Sequence, residues 1–212
     1  GTPRTPATVY QYLAVLSHAF TIAVNEWQWL DDNPMRKVKK PTPSRGRVRF
    51  LDDDERAKLL KACKESTTDN LYLCVILALS TGMRQGELMN LKWQDVNLKE
   101  GYLILHQTKN GERRRVPLAG LALALLKDHA KVRRLDTPLL FPAKRNPQQP
   151  ANLNIAFRNA LKRAEIENFK WHDLRHCTAS YLAMNGASLA EIAEVLGHKT
   201  LAWSNATAIY RM

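Results

Sequence analysis

An Asn110-Gly111 pair between two short strand-like runs is the feature that most restricts the fold of this 212-residue chain. Asn and Gly both adopt the positive φ angles that a tight hairpin turn needs. Residues 102–107 and 113–118 are therefore expected to pair as antiparallel strands. Elsewhere the apolar residues recur at helical spacing, so the sequence predicts a mainly α protein with a small antiparallel β-sheet, an α+β fold.

Helix start and stop signals divide the rest of the chain. Asp52 or Asp53 is the expected N-cap of one helix, and Ser188 with Glu191 forms a capping box for another, which Gly197 would end. The second predicted helix is strongly apolar, so we expect it to be buried. The predicted helices run to about residue 64 from the first cap and over residues 69–80, 119–134, 152–165, 173–185 and 189–196.

Two domains are expected. Residues 8–29 form an amphipathic helix that cannot bury its own apolar face, which predicts the end of a helical domain whose beginning is missing. Residues 36–49 carry seven basic residues and no acid. This run is either a solvated linker or a linker lying on a phosphate backbone, and both can hold together. We place residues 1–43 in the first domain with its linker and residues 44–212 in the second. The structured part of the second domain is expected to begin near Phe50.

Charge and cysteine usage limit the partners. Lys and Arg outnumber Asp and Glu by 32 to 20, a net charge of +12 that fits either a nucleic-acid partner or a solvated basic surface. Cys63, Cys74 and Cys177 have no metal-like spacing and are expected to be buried thiols in a reducing compartment. The apolar run at residues 71–79 is too short to span a bilayer, and no membrane partner is expected.

The first motif that could carry chemistry is Thr-Gly-Met-Arg-Gln-Gly-Glu-Leu, at residues 81–88. Arg84 would lie between a buried helix that ends at Gly82 and a short helix that starts near Gln85. Its planar guanidinium suits two phosphate oxygens, and Glu87, one helical turn on, could brace it. Without other residues, such a pair is more typical of a structural ion pair.

The second motif is Trp-His-Asp-Leu-Arg-His, at residues 171–176. His172 and Arg175 are three residues apart at the start of a helix, so they would share a face where the helix N-terminus favours an anion. The alternative is an exposed first turn in which Asp173 interacts with the helix dipole. We expect His176 to point away from that face, toward the surface or into packing.

Five further basic positions are ambiguous by themselves. His198 follows the helix-ending Gly197 and could be a dipole partner or a loop residue. Lys109, beside the hairpin turn, is either a solvated edge charge or a group that reaches a minor groove and delivers a proton. Residues 113–115 are three arginines, which we expect to contact the DNA backbone or solvent and not to be catalytic.

Taken together and in this order, the motifs resemble the tyrosine recombinase, or phage integrase, family. The resemblance covers residues 50–202, and residues 8–41 resemble the end of that family's helical core-binding domain. It implies a fold like the tyrosine recombinase catalytic domain. The matching segments are those around Arg84 and His172, Thr-Lys-Asn-Gly around Lys109, and Leu-Gly-His-Lys-Thr-Leu-Ala from Leu196.

The resemblance implies a role for each candidate residue. Arg84 and Arg175 would hold the non-bridging oxygens of the scissile phosphate, and His198 would donate a hydrogen bond to it. Lys109 would be the general acid for the departing 5′-oxygen, and His172 would deprotonate or position the nucleophile. The nucleophile would be a tyrosine that forms a 3′-phosphotyrosine bond, with no metal and no nucleotide cofactor.

The position of the tyrosine departs from the family pattern. The family usually places it nine residues after the histidine that matches His198, but that position here is Thr207. Tyr210 lies three residues later, and residues 204–206 have the length of the difference. Since Tyr181 would lie within a helix, Tyr210 is the predicted nucleophile.

The predicted function is that of a site-specific DNA recombinase, an integrase of a phage or mobile element. Double-stranded DNA is the expected partner, with a homotetramer on DNA or a monomer for this fragment alone, in the nucleoid of a bacterial cytoplasm. One alternative is a non-catalytic or truncated DNA-binding protein in which residues 188–198 end a helix-turn-helix. A type IB topoisomerase, which shares the chemistry, is the other.

Overall fold

The computed structural model of the chain describes residues 3–42, 49–106 and 113–197. The chain divides into two compact units, Gly1–Arg47 and Val48–Met212. Among the predicted site residues, Lys109, His198 and Tyr210 lie outside the described residues.

The first unit contains helix α1, Pro6–Asn25, and a short 3₁₀ helix, Pro34–Lys37. The prediction that α1 runs to residue 29 is wrong, because Gln28 has a φ of +55°, which no α-helix accommodates. Asn33 caps the 3₁₀ helix through its side-chain oxygen, while its Nδ2 donates to the Ser17 carbonyl at 2.9 Å. This side chain therefore ties the chain after the turn back to the middle of α1.

Helix α1 leaves most of its apolar side chains exposed within this unit. Ala23 is buried, whereas Tyr12 and Val15 are 60% and 72% exposed. Among the described residues α1 is the one helix long and apolar enough to cross a membrane by length and composition. Helices of soluble domains meet the same criterion, so it does not indicate a membrane span by itself.

The second unit is mostly helical, as predicted. Its helices are α2 Asp53–Lys64, α3 Leu71–Thr81, α4 Gln85–Met89, α5 Gly120–Lys131, α6 Asn154–Arg163, α7 Trp171–Met184 and α8 Leu189–Leu196. Asp52 is the N-cap of α2 and makes a capping box with Glu55, and Ser188 does the same for α8 with Glu191. Gly197 ends α8 in the left-handed conformation, which favours glycine because it has no Cβ.

The small antiparallel sheet has three strands in the order β1-β2-β3. They are β1 Val96–Asn97, β2 Tyr102–Leu105 and β3 Arg114–Pro117, with Leu103 opposite Val116 and Leu105 opposite Arg114. The predicted hairpin strands are confirmed, although both are shorter than expected. β1 was not predicted, because two residues are too few to show an alternating pattern.

Helix α3 lies at the centre of this unit and packs against α2, α5 and α7. Eight of its residues are buried, as its apolar sequence predicts, and each fully buried leucine contributes about 1.5–3 kcal/mol to folding. The Thr178 hydroxyl of α7 donates to the Leu79 carbonyl at 2.9 Å. The C-terminal end of α3, which leads into the first motif, is thereby held against the helix that carries the second.

Candidate active site

Arg84 lies at the junction between α3 and α4, where the sequence places it. Helix α3 ends at Gly82 with a φ of +63°, and Arg84 is the N-cap of α4. Glu87 accepts one hydrogen bond from the Arg84 backbone N–H at 2.8 Å and another from its Nη1 at 2.7 Å. Glu87 thus holds Arg84 at its backbone and at its guanidinium, as the predicted brace requires.

Arg175 is buried in α7 and links the Arg84 motif, at the end of α3, to the end of α8. Its residue exposure is 2%. Nη1 donates to the Gly82 carbonyl and Nη2 to the Leu196 carbonyl, both at 2.5 Å. Both acceptors are at helix ends, where carbonyl groups lack partners within the helix. One guanidinium therefore joins the end of α3, the start of α7 and the end of α8.

Arg114 also lies in this cluster, so the expectation of a solvated side chain is wrong for this arginine. Its side chain on β3 is only 12% exposed, and Nη2 lies 3.7 Å from Glu87 Oε2. Nη1 donates to the Val195 carbonyl. Val116, two residues on, is buried, and side chains two apart on a strand share a face. That alternation is the sequence signal that could have separated Arg114 from its exposed neighbours.

His172 stands beside these arginines in the first turn of α7. Desolvation lowers the pKa of its imidazole although the residue is exposed, and the positive charges of Arg175 and Arg84 lower it further. At neutral pH the ring is therefore mostly uncharged. Its ring centroid is 5.2 Å from that of His176 in an edge-to-face arrangement. The expectation that His176 points away is wrong, because residues four apart on a helix are neighbours.

The cluster carries more positive than negative charge. Burial, together with the nearby charges of Arg84 and Arg114, lowers the pKa of Arg175 to about 10, against the opposing effect of Glu87. The guanidinium remains charged at neutral pH. Three cations thus surround one carboxylate in a poorly hydrated place, an arrangement that favours an additional anion. We call Arg84, Arg114 and Arg175 the arginine cluster.

Residues 49–211 match the phage integrase family. The chain belongs to this family. A shufflon-specific DNA recombinase of Escherichia coli is 36% identical over 204 residues, which cover 95% of this chain and 50% of the relative. The integrase of Salmonella phage P22 is 31% identical and aligns with 94% of this chain and 53% of its own length. The chain therefore spans about half the length of these curated relatives.

Solved structures of phage integrases have the same fold. A lambda integrase tetramer bound to a Holliday junction matches 93% of this chain and 60% of its own, with a TM-score of 0.73 and 26% identity. The catalytic domain of the bacteriophage HP1 integrase matches 77% of this chain and 87% of its own, with a TM-score of 0.59 and 29% identity. The second unit thus has the fold of a tyrosine recombinase catalytic domain.

In this phage integrase fold, three of the six predicted site residues are described, and the structure brings them together: Arg84, His172 and Arg175. The other three fall outside the described residues. Within residues 3–42, 49–106 and 113–197, no group of three His, Cys, Asp or Glu side chains is placed to hold a metal ion.

A buried carboxylate that no sequence motif singles out lies near the base of the hairpin. Asp95 is 8% exposed, and its Oδ1 is 3.0 Å from His106 Nε2, the imidazole at the end of β2. Its Oδ2 accepts from the Lys92 N–H at 3.1 Å. Asp95 therefore anchors His106, and with it the strand that leads to residue 107, in a phage integrase domain whose hairpin carries Lys109.

Proposed function

We propose that this chain is the catalytic part of a site-specific DNA recombinase or integrase that cuts and rejoins strands through a 3′-phosphotyrosine bond. The observation that carries the proposal is the arginine cluster, in which Arg84 and Arg114 pair with the carboxylate of Glu87 and the buried Arg175 lies close enough to feel their charges. A scissile phosphate is the anion that such a cluster fits in a member of the phage integrase family. Double-stranded DNA is accordingly the proposed partner.

In the proposed cleavage step, the phenolic oxygen of Tyr210 attacks the phosphorus and the bond from phosphorus to the 5′-oxygen breaks. Arg84 and Arg175 hold the non-bridging oxygens, on which negative charge builds up in the transition state. Lys109 gives a proton to the departing 5′-oxygen, and His198 donates a hydrogen bond to the phosphate. Attack of a 5′-hydroxyl on the phosphotyrosine reverses the step, so the bond energy is kept and ATP is not needed.

His172 is the proposed acceptor or positioning group for the phenolic proton. A phenol has a pKa near 10 and is mostly protonated at neutral pH, so it needs a base or a partner that orients it. The lowered pKa of His172 keeps the imidazole uncharged and able to accept a hydrogen bond. The burial and fixed hydrogen bonds of Arg175 support its role as a rigid cation.

A suicide substrate tests the proposal directly. A DNA site selected from random duplexes by binding is nicked next to the cleavage position, so that the short 5′ product diffuses away and the covalent adduct accumulates. We expect an adduct that survives denaturing electrophoresis, forms in EDTA without ATP, and is lost in Tyr210→Phe. An adduct that persists in Tyr210→Phe overturns the choice of nucleophile, and the absence of any adduct in the wild type overturns the function.

Tyr181→Phe is the matched control. The Tyr181 hydroxyl donates to the Leu51 carbonyl at 2.8 Å, and burial raises its pKa to about 12, so it is a poor nucleophile. Adduct formation is expected to continue in this variant. The pair of variants compares two tyrosines that each lose one hydroxyl group.

Lys109 is tested through the leaving group. A substrate with sulfur in place of the bridging 5′-oxygen leaves as a thiolate, which needs no proton because thiols have a pKa near 8.5. Lys109→Ala is expected to cut ordinary DNA about 10²–10⁴ times more slowly and the sulfur substrate at nearly the wild-type rate. An equal loss on both substrates contradicts the assignment of Lys109 as the general acid.

The remaining assignments follow from the same proposal. Residues 1–43 are the end of a helical DNA-binding domain with its linker, and residues 44–212 are the catalytic domain. The working form is a homotetramer on DNA, in the nucleoid of a bacterial host. DNA binding without an adduct favours the non-catalytic alternative, and relaxation of supercoiled plasmid that lacks the selected site favours a type IB topoisomerase.

A further inference from the structure

Arg114 contacts α8 on one side and the carboxylate of Glu87, within the arginine cluster, on the other. Its Nη1 donates to the Val195 carbonyl in the last turn of α8, and its Nη2 faces Glu87 Oε2 at 3.7 Å. Glu87 in turn holds Arg84 at the start of α4. The side chain on β3 thus touches α8 and, through one carboxylate, the first catalytic motif.

The fit between Arg114 and the end of α8 is close. A Cβ placed on Gly197 would lie 3.0 Å from Arg114 Nη1 and 3.1 Å from its Cδ. Most Cβ contacts are longer, so a side chain at Gly197 would push the guanidinium outward, whereas glycine lets it pack directly on the backbone. A positive group at a helix C-terminus is also favoured by the helix dipole. Arg114 and Arg175 therefore hold neighbouring carbonyls of the same turn, those of Val195 and Leu196.

Folding stability alone does not explain this arginine. Its Nε and Nη2 are buried and have no hydrogen-bond partner among the described residues. A buried donor without a hydrogen bond costs about 1–3 kcal/mol, so the unbonded Nε and the long 3.7 Å contact of Nη2 with Glu87 offset the single hydrogen bond to Val195. Desolvation lowers its pKa, and the charge of Arg84 lowers it further. Groups kept in unfavourable surroundings of this kind concentrate at functional sites.

The neighbouring arginine on the strand provides the contrast. Arg115 is 65% exposed, stacks on the Tyr102 ring with its guanidinium carbon 3.8 Å from the centroid, and pairs with Glu100 at 3.6 Å. It has the same charge and the same backbone surroundings, but it faces the other side of the sheet. It is therefore a matched control for Arg114.

The chain that leaves α8 at Gly197 carries His198 and Tyr210 in its sequence. We propose that Arg114 is a positioning residue for strand cleavage, which fixes the last turn of α8 against the Arg84–Glu87 pair and so sets where the nucleophile-bearing segment begins relative to the phosphate. This inference rests on the proposed function. It assigns to β3 a part in the reaction separate from that of Lys109 on the same hairpin.

The first test requires no catalysis. Amide hydrogen exchange of residues 189–197 is compared in the wild type, Arg114→Met and Arg115→Met, together with thermal unfolding by circular dichroism. We expect at least tenfold faster exchange in this segment for Arg114→Met alone, with peptides from α2 and α6 unchanged. Wild-type exchange in Arg114→Met overturns the proposal whether or not the protein proves to be a recombinase.

The second test separates binding from chemistry on the nicked substrate. At saturating DNA, Arg114→Met is expected to cut about 10²-fold more slowly, because small displacements of reacting groups cost that much, while the Kd for DNA changes less than about threefold. Arg115→Met should cut at the wild-type rate. If the wild type forms the adduct and Arg114→Met cuts equally fast, the positioning role is wrong and the recombinase function stands.

Arg114→Lys covers the case in which the methionine variant does not fold. Lysine keeps the charge and can reach either the Val195 carbonyl or Glu87, but its single ammonium group cannot hold both as the guanidinium fork does. We expect a folded protein that cuts at least tenfold more slowly than the wild type and exchanges faster in residues 189–197. Wild-type values of both quantities in this variant also overturn the proposal.

Discussion

Replacing Glu87 by glutamine removes the negative charge that pairs with Arg84 and Arg114 and lies near the buried Arg175. Glu87 is 7% exposed in its side chain, Arg84 is 26% exposed and Arg114 is 12% exposed. The amide keeps the size of the carboxylate and one oxygen for the Arg84 backbone N–H, but its NH₂ group faces guanidinium donors. We therefore expect the second unit to lose stability through electrostatics and not through packing.

The magnitude follows from the burial of the pair. Removing one partner of a fully buried ion pair costs about 3–5 kcal/mol, because the other charge is left without compensation. Arg84 is partly hydrated, which reduces the cost to the lower end, about 3 kcal/mol for Glu87→Gln. Glu87→Ala also loses the cap on α4, worth about 1 kcal/mol, so it should cost about 4 kcal/mol.

Urea unfolding followed by circular dichroism measures these differences, and Glu100→Gln is the control. Glu100 pairs with Arg115 on the surface at 3.6 Å, where an ion pair contributes less than about 1 kcal/mol. In a domain of this size, the loss of 3 kcal/mol lowers the Tm by roughly 6–12 °C. The unfolding is then repeated with short duplex DNA, whose phosphate can replace the lost negative charge. The difference in unfolding free energy between Glu87→Gln and the wild type should then become smaller.

A loss below 1 kcal/mol for Glu87→Gln, equal to that of Glu100→Gln, contradicts this reasoning. It would mean that the three cations do not need the carboxylate, and that the positive potential of the arginine cluster is smaller than its geometry implies. If DNA does not reduce the difference in unfolding free energy between Glu87→Gln and the wild type, the effect on folding is separate from phosphate binding. The carboxylate would then matter for folding, but the cluster would not bind phosphate.

Three other perturbations have defined outcomes. The cleavage rate should fall in acid, at a lower pH than that at which an ordinary imidazole titrates, because protonation of His172 removes its acceptor. This acid limb should vanish in His172→Gln, and its persistence there assigns the limb to another group. Gly82→Ala should lower the free energy of unfolding by about 1–3 kcal/mol, since Gly82 has a φ of +63° and a Cβ would lie 2.4 Å from a methyl group of α8. Gly86→Ala is the control and should leave stability unchanged, because a Cβ there would meet nothing within 4 Å. Equal urea midpoints for the two variants contradict this reasoning. The three buried thiols should not react with iodoacetamide at pH 8 in the folded protein, whereas all three should react in urea. Burial raises the pKa of Cys63 to about 12 and that of Cys177 to about 11. Rapid labelling of the folded protein would show that its core opens.

The sequence predicts the helices of the second unit well where local signals agree with packing. The apolar run of α3 and the capping boxes of α2 and α8 each depend on residues within a few positions of one another. The early end of α1 depends on Gln28, a residue type with no particular preference for a positive φ. Its conformation is set by the turn toward Asn33, which no local pattern reveals.

The candidate site divides along the same line. Arg84 and Arg175 could be selected because each lies at a helix start next to a recognisable motif, and the structure joins them through the end of α3. Arg114 could not be selected by residue type, since it stands between two other arginines, although the buried Val116 marks its side of the strand. The Asp95–His106 pair joins residues whose pairing exists only after the sheet has formed.

Two hydrogen bonds of Arg175 go to main-chain oxygens, those of Gly82 and Leu196. A point mutation can delete a side-chain acceptor, but it cannot delete a carbonyl of the backbone. These two bonds therefore do not depend on which side chains Gly82 and Leu196 carry, and they are lost when the end of α3 or of α8 changes its conformation. For protein engineering, this means that a substitution beside Arg175 acts through packing or backbone conformation, as at Gly82, whereas an insertion or deletion at either helix end removes a main-chain acceptor of the arginine directly.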